Sequence, residues 1–182
     1  MIVLGIDPGT ANTGYGVVSS DPARPGRLRA LDGGVIETPA GVPLERRLAA
    51  IHARACELID EHAPEAVALE DLYFGANARS ALTVGQARGV VLLAAGQRGL
   101  SCGSYTPQQV KSAVCGSGRA DKVQVQQMVQ RLLSLAELPQ PDHAADALAV
   151  AICHLNRAPL LAAANVTSPV GAPLAAAGGR KP

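Results

Sequence analysis

Ile2-Val3-Leu4-Gly5-Ile6-Asp7-Pro8-Gly9-Thr10 is the stretch on which the fold turns. Five apolar or small residues without a polar interruption read as a strand buried on both faces. The run ends on a carboxylate, and Pro8-Gly9 then breaks the chain direction. A second run, Ala66-Val67-Ala68-Leu69-Glu70-Asp71, ends the same way. A carboxylate at the end of a buried strand is costly unless something pairs with it. A third acidic group, Asp142-His143-Ala144-Ala145-Asp146, opens an apolar segment near the C-terminus. Three distant segments that each offer metal-binding side chains suggest one shared pocket.

Outward from the first strand, residues 8–14 are turn-forming, and Tyr15-Gly16-Val17-Val18 predicts a second strand, antiparallel to the first. Arg27 to Glu37 predicts a third. From Pro43 to His62 the apolar residues Leu44, Leu48, Ile51, Ala55, Leu58 and Ile59 follow helical spacing. Residues 66–70 form strand four. Asn77 is a candidate cap for a long helix to about Arg98. Residues 101–105 read as a fifth strand. Thr106 caps a short helix to Cys115 with Pro107 in its first position. Asp121 and Gln124 form a capping box for the next helix, and a last helix is expected from about Pro141 to His154. This order predicts an α/β fold, a mixed sheet flanked by helices. The domain is expected to end near residue 157, and the Ala-, Gly- and Pro-rich segment 158–182 is expected to be a disordered tail.

The chain has 182 residues, of which 48% are hydrophobic and 17% charged, as for one folded domain. No apolar stretch has the length of a membrane span, and no secretion signal is legible, so a cytoplasmic protein with no membrane association is expected. Cys56, Cys102, Cys115 and Cys153 lack the short spacings of a zinc or redox motif and read as free thiols. Net charge is only +1, but residues 72–157 hold 8 Lys/Arg against 4 Asp/Glu, a half suited to phosphates.

On a helix, residues three and four apart share a face, so Asp146 lies beside both His143 and Asp142. Leu148 and Ile152 continue as a stripe that would face the sheet. One end of this helix can thus aim ligands at Asp7 and Glu70. Gathered carboxylates repel one another unless cations bridge them. Hard oxygen ligands suit magnesium or manganese, and two such ions about 4 Å apart are the arrangement that cleaves phosphodiesters. Two of the four aromatic residues, Tyr73 and Phe74, follow Glu70 closely and suit stacking on an unpaired base. Lys111 and Lys122 stand near helix starts and suit phosphate contacts.

Gly5-Ile6-Asp7-Pro8-Gly9, Gly14-Tyr15-Gly16-Val17, Leu69-Glu70, Gly85-Gln86-Ala87-Arg88-Gly89, Gln109-Val110-Lys111 and Ala144-Ala145-Asp146-Ala147-Leu148 together resemble the RuvC family of Holliday-junction resolvases, in register from about residue 2 to 155. The resemblance implies a ribonuclease-H-like fold with a five-stranded mixed sheet. It implies a homodimer that makes paired symmetric nicks in four-way junction DNA in recombination and repair, and partnership with the RuvA–RuvB branch-migration complex. By position it implies Asp7, Glu70, His143 and Asp146 as metal ligands and catalytic residues. The commoner family residue where His143 stands is aspartate. It also implies Tyr73, and by proximity Phe74, as base-stacking residues, and Lys111 and Lys122 as DNA contacts. The long helix holding Gly85 and Gly89 corresponds to the family's dimer helix. An actin-like ATPase, whose phosphate loop resembles Gly-Ile-Asp-Pro-Gly-Thr, is the alternative enzyme class. It needs two large lobes where 182 residues supply one. A junction-binding protein without catalysis and a related ribonuclease are further readings.

Overall fold

Strand β1 (Ile2–Asp7) lies in the middle of a five-stranded sheet of order β3-β2-β1-β4-β5. The computed structural model describes residues 1–24, 26–71 and 78–165. Strands β2 (Asn12–Ser20) and β3 (Leu28–Glu37) form an antiparallel meander with β1. Helix α1 (Leu44–His62) then crosses to β4 (Ala66–Glu70), which pairs parallel to β1 on its other side. Helix α2 (Ala78–Gln97) leads to β5 (Ser101–Tyr105), parallel to β4. Helices α3 (Pro107–Cys115), α4 (Lys122–Leu133) and α5 (Asp142–Asn165) complete the chain.

Both sheet faces are covered, which is why β1 and β4 are apolar without alternation. Leu4, Ile6, Val17, Val67 and Leu69 pack with Ile51, Leu58 and Val91 of α1 and α2 on one face. Val3, Val18 and Ala68 pack on the other with Val129 of α4 and Leu148 and Ile152 of α5. The apolar stripe of α5 therefore faces the sheet as its spacing predicts.

The predicted Thr106 cap and the predicted Asp121–Gln124 capping box both form, and Thr106 makes a full capping box with Gln109 as well. Thr106 accepts from the Gln109 N–H and Asp121 from the Gln124 N–H, with each glutamine side chain reaching back to its cap. Asn77 lies outside the described residues. Two boundaries differ from expectation. Strand β2 runs from Asn12 to Ser20 rather than over 15–18, because a strand between two partners pairs even its turn-forming ends. Gly14 faces both Asp7 and Val35, and Ser19 both Ile2 and Arg29. Helix α5 continues to Asn165, past the expected end at His154 and the expected domain boundary at 157. Alanine and leucine dominate 158–164, and they are strong helix formers even where no periodicity marks them. Residues 158–165 of the segment expected as a tail fall within α5. The remainder of that segment, from 166 on, lies outside the described residues.

Candidate metal centre

Parallel pairing sets Ile6 opposite Leu69, so the next residues, Asp7 and Glu70, leave the sheet side by side at the carboxyl ends of β1 and β4. Open α/β sheets bind ligands at such strand ends. The turn that follows Asp7 is held from within. The buried Thr13 hydroxyl donates to the Gly9 carbonyl, and Thr38 donates to the Thr10 carbonyl while accepting from Arg47 Nε at 3.0 Å.

Helix α5 reaches the same edge because glycine lets it approach. A Cβ at Gly5 would stand 2.1 Å from the Ala147 carbonyl oxygen, and one at Gly14 would stand 2.0 Å from that of His143. No side chain fits either gap, so backbone packs on backbone. The first turn of α5 then meets Asp7. His143 Nδ1 lies 2.7 Å from Asp7 Oδ2, and ligand atoms of Asp7, His143 and Asp146 all fall within 4.8 Å of one another.

Glu70 stands beside this trio in a half-buried setting. Burial first, then the negative charges of Asp7 and Asp146 and a hydrogen bond with Asp7, push its carboxyl up to about 7, against the opposing pull of Lys111. Burial likewise holds the Asp146 carboxyl above its ordinary value, with Lys122 opposing and Asp7 reinforcing the shift. These are the marks of a carboxylate cluster short of positive charge. A divalent cation among an imidazole and three carboxylates relieves that shortage, so the donor set fits one.

Lys111, Lys122, Glu70 and Asp146 line a cleft of about 200 Å³ floored by Val110, Val125 and Ala149. Lys122 Nζ is 3.0 Å from Asp142 Oδ2 and 3.5 Å from Asp146 Oδ2. Asp142 thus turns to a lysine, and also accepts from Gln126 Nε2 at 2.8 Å, leaving His143 to face Asp7. Lys122, then Gln126, hold the Asp142 carboxyl below its usual range.

The sequence reading assigned no role to Arg88 of α2. Its mostly buried guanidinium donates to the Glu70 carbonyl at 2.8 Å and to Ser104 Oγ, and lies 3.9 Å from Asp71. It ties the ends of β4 and β5 and so orients the strand that presents Glu70. Its sequence signals were a cation within a largely apolar helix and a place in the Gly85–Gly89 motif, neither of which named a role. Tyr73 and Phe74 lie outside the described residues.

The family model described as crossover junction endodeoxyribonuclease RuvC matches residues 3–154. This chain belongs to the RuvC family. A relative from Moorella thermoacetica named crossover junction endodeoxyribonuclease RuvC is 57% identical over 159 residues, covering 87% of this chain and 93% of the relative. The Thermus thermophilus RuvC structure superposes with a TM-score of 0.82 at 42% identity, covering 88% of this chain and 96% of that one. T. thermophilus RuvC in complex with Holliday junction substrate gives 0.84 at the same identity and coverage. The mixed five-stranded sheet is thus of the ribonuclease-H-like type, and the RuvC fold accounts for why the strand ends and α5 meet where they do.

Proposed function

We propose that this chain is a metal-dependent endonuclease that resolves four-way DNA junctions by paired symmetric nicks in recombination and repair. The observation that supports it most is the convergence of Asp7, His143 and Asp146 within 4.8 Å, beside Glu70. The likeness to a RuvC solved on a Holliday junction supports the substrate.

In this reading Asp7, Glu70, His143 and Asp146 hold two magnesium or manganese ions. Such ions, once bound, acidify water and offset the charge that develops on the phosphoryl oxygens. The chain's own residues do the rest. Lys111 and Lys122 flank the cleft and draw the scissile phosphate toward the carboxylates. Lys122 exchanges Asp146 for that phosphate while Asp142 keeps it in reach. Tyr73 or Phe74 stacks on a base unpaired at the crossover. Arg88 steadies the strand end under Glu70. Hydrolysis proceeds without a covalent intermediate.

The working unit is a homodimer. Leu82, Gly89 and Leu93 lie on the exposed side of α2, with Leu82 65% and Leu93 53% exposed. A Cβ at Gly89 would meet nothing within 4 Å, which leaves room for a second backbone. Two identical pockets suit a junction that must be cut twice. RuvA and RuvB are the expected partners, in the cytoplasm, and no described helix is long and apolar enough to cross a membrane.

Incubating the protein with a synthetic four-way junction and manganese, then mapping nicks on all four strands, tests the reading. Symmetric nicks on two strands of like polarity are expected. Binding without nicks, or nicks equally frequent on linear duplex, would overturn it.

A further inference from the structure

Helix α4 begins at the metal centre and ends far from it. Lys122, its first residue, contacts Asp146. Its last residues, Leu132 and Leu133, share a concavity of about 460 Å³ with Arg27 and Arg29 at the start of β3. Twelve helical residues separate the two ends by about 18 Å. The outer flank between them is polar and basic. Gln124, Gln127 and Arg131, at helical spacing, line a cleft of about 490 Å³ with Arg119.

Beyond α4, exposed Arg24, Arg27 and Arg29 line a further hollow of about 360 Å³ with the hydroxyl-bearing Ser19 and Ser20. None of these arginines makes an ion pair with a described residue. Among the described residues the one carboxylate lining the three concavities is Asp21, whose Oδ1 accepts from the Ala23 N–H in a tight turn. Three exposed arginines without an ion pair among the described residues, gathered in one hollow, suit a polyanion, since the guanidinium fork matches phosphate oxygens.

We propose that Arg24, Arg27 and Arg29, at the far end of α4 from Lys122, seat one duplex arm of the DNA junction through its phosphates. The proposal rests on the junction-resolving reading above. At 3.4 Å per base pair, the length of α4 corresponds to about five base pairs. The arginine turn therefore engages backbone more than five base pairs from the scissile phosphate. Contacts of this kind carry no sequence information and contribute affinity that falls with salt.

The test is the salt dependence of junction binding by Arg27→Glu/Arg29→Glu and, separately, by Arg24→Glu. Both variants alter exposed side chains outside the metal centre. The slope of log K against log salt is expected to become shallower by about two for the double variant and about one for the single, with nicking at saturating protein unchanged. Unchanged slopes in both variants would overturn the proposal and leave the turn to another anionic partner, such as an acidic protein surface. Lost nicking at saturation would also overturn it, because the turn would then act on the metal centre. Binding slopes remain readable if the parental protein fails to nick, so failure of the functional reading is distinguishable from failure of this one.

Discussion

His143 Nδ1 rests 2.7 Å from Asp7 Oδ2, although 136 positions separate the two residues in the chain. One belongs to the end of the first strand and the other to the first turn of the last helix, and the contact exists because Gly14 lets that helix touch the sheet. Asp7 is therefore the hub of the centre, adjacent to His143, Asp146 and Glu70 together.

Asp7→Asn should remove one negative ligand while keeping the side chain's size. Cleavage is expected to fall by about three orders of magnitude or more, the scale of losing several kcal/mol of metal-borne stabilisation. Junction binding should persist, since Lys111, Lys122 and the arginine turn are untouched. Single-turnover nicking alongside a gel shift checks both halves. Cleavage at the parental rate would remove Asp7 from the mechanism.

Gly14→Ala tests how the centre is assembled. The new methyl would stand 2.0 Å from the His143 carbonyl, a backbone atom that cannot swing aside. Helix α5 must shift, and a cost of about 3 kcal/mol or more is expected. Denaturant unfolding reads that cost directly. Cleavage should fall even at temperatures where the variant remains folded, because the shift carries His143 and Asp146 away from Asp7. A variant as stable and active as the parent would mean that the close approach is not needed.

The two acidic strand ends were legible in the sequence because a carboxylate has few reasons to end a buried strand; helical spacing set both Asp142 and His143 beside Asp146, and only the resemblance to the RuvC family singled out His143. Arg88 was not legible. A single arginine in a helix has many solvated positions open to it, and only the tertiary fold shows its guanidinium turned inward to the Glu70 carbonyl. The Arg24–Arg29 turn was hidden differently. It lies in the half of the chain with an excess of acid, and net charge over seventy residues averages away a patch that exists only once β3 meets the end of α4. The length of α5 was underestimated because its last turns carry helix propensity without amphipathic spacing.

His143 offers this centre a nitrogen donor where the resemblance to the RuvC family implies aspartate as the commoner residue. Imidazole favours borderline metals over magnesium, whereas carboxylate accepts magnesium readily. Cleavage by the parental protein should be faster in manganese than in magnesium, and His143→Asp should bring the ratio of the two rates toward one. Parallel titrations of both metals against nicking rate measure it. An unchanged ratio would show that His143 serves Asp7 as a hydrogen-bond partner and not the ion as a ligand.

Glu70 makes a prediction about stability that needs no substrate. Its carboxyl is pushed from an ordinary 4.5 up to about 7 in the folded protein, first by burial and then by Asp7 and Asp146. A carboxyl with a higher pKa when folded binds more protons in that state, so its contribution favours folding at low pH. That contribution is fully present below about 4.5 and is lost as pH rises through about 7. In chelator, the parental protein should lose about 3 kcal/mol across this window relative to Glu70→Gln, which has no proton to release. The measurement is denaturant unfolding of both proteins from pH 4.5 to 8. Adding manganese at pH 7.5 should restore the parent far more than the variant, because the cation supplies the charge that the proton supplied at low pH. Curves that run parallel in chelator would show that Glu70 is not held among uncompensated carboxylates.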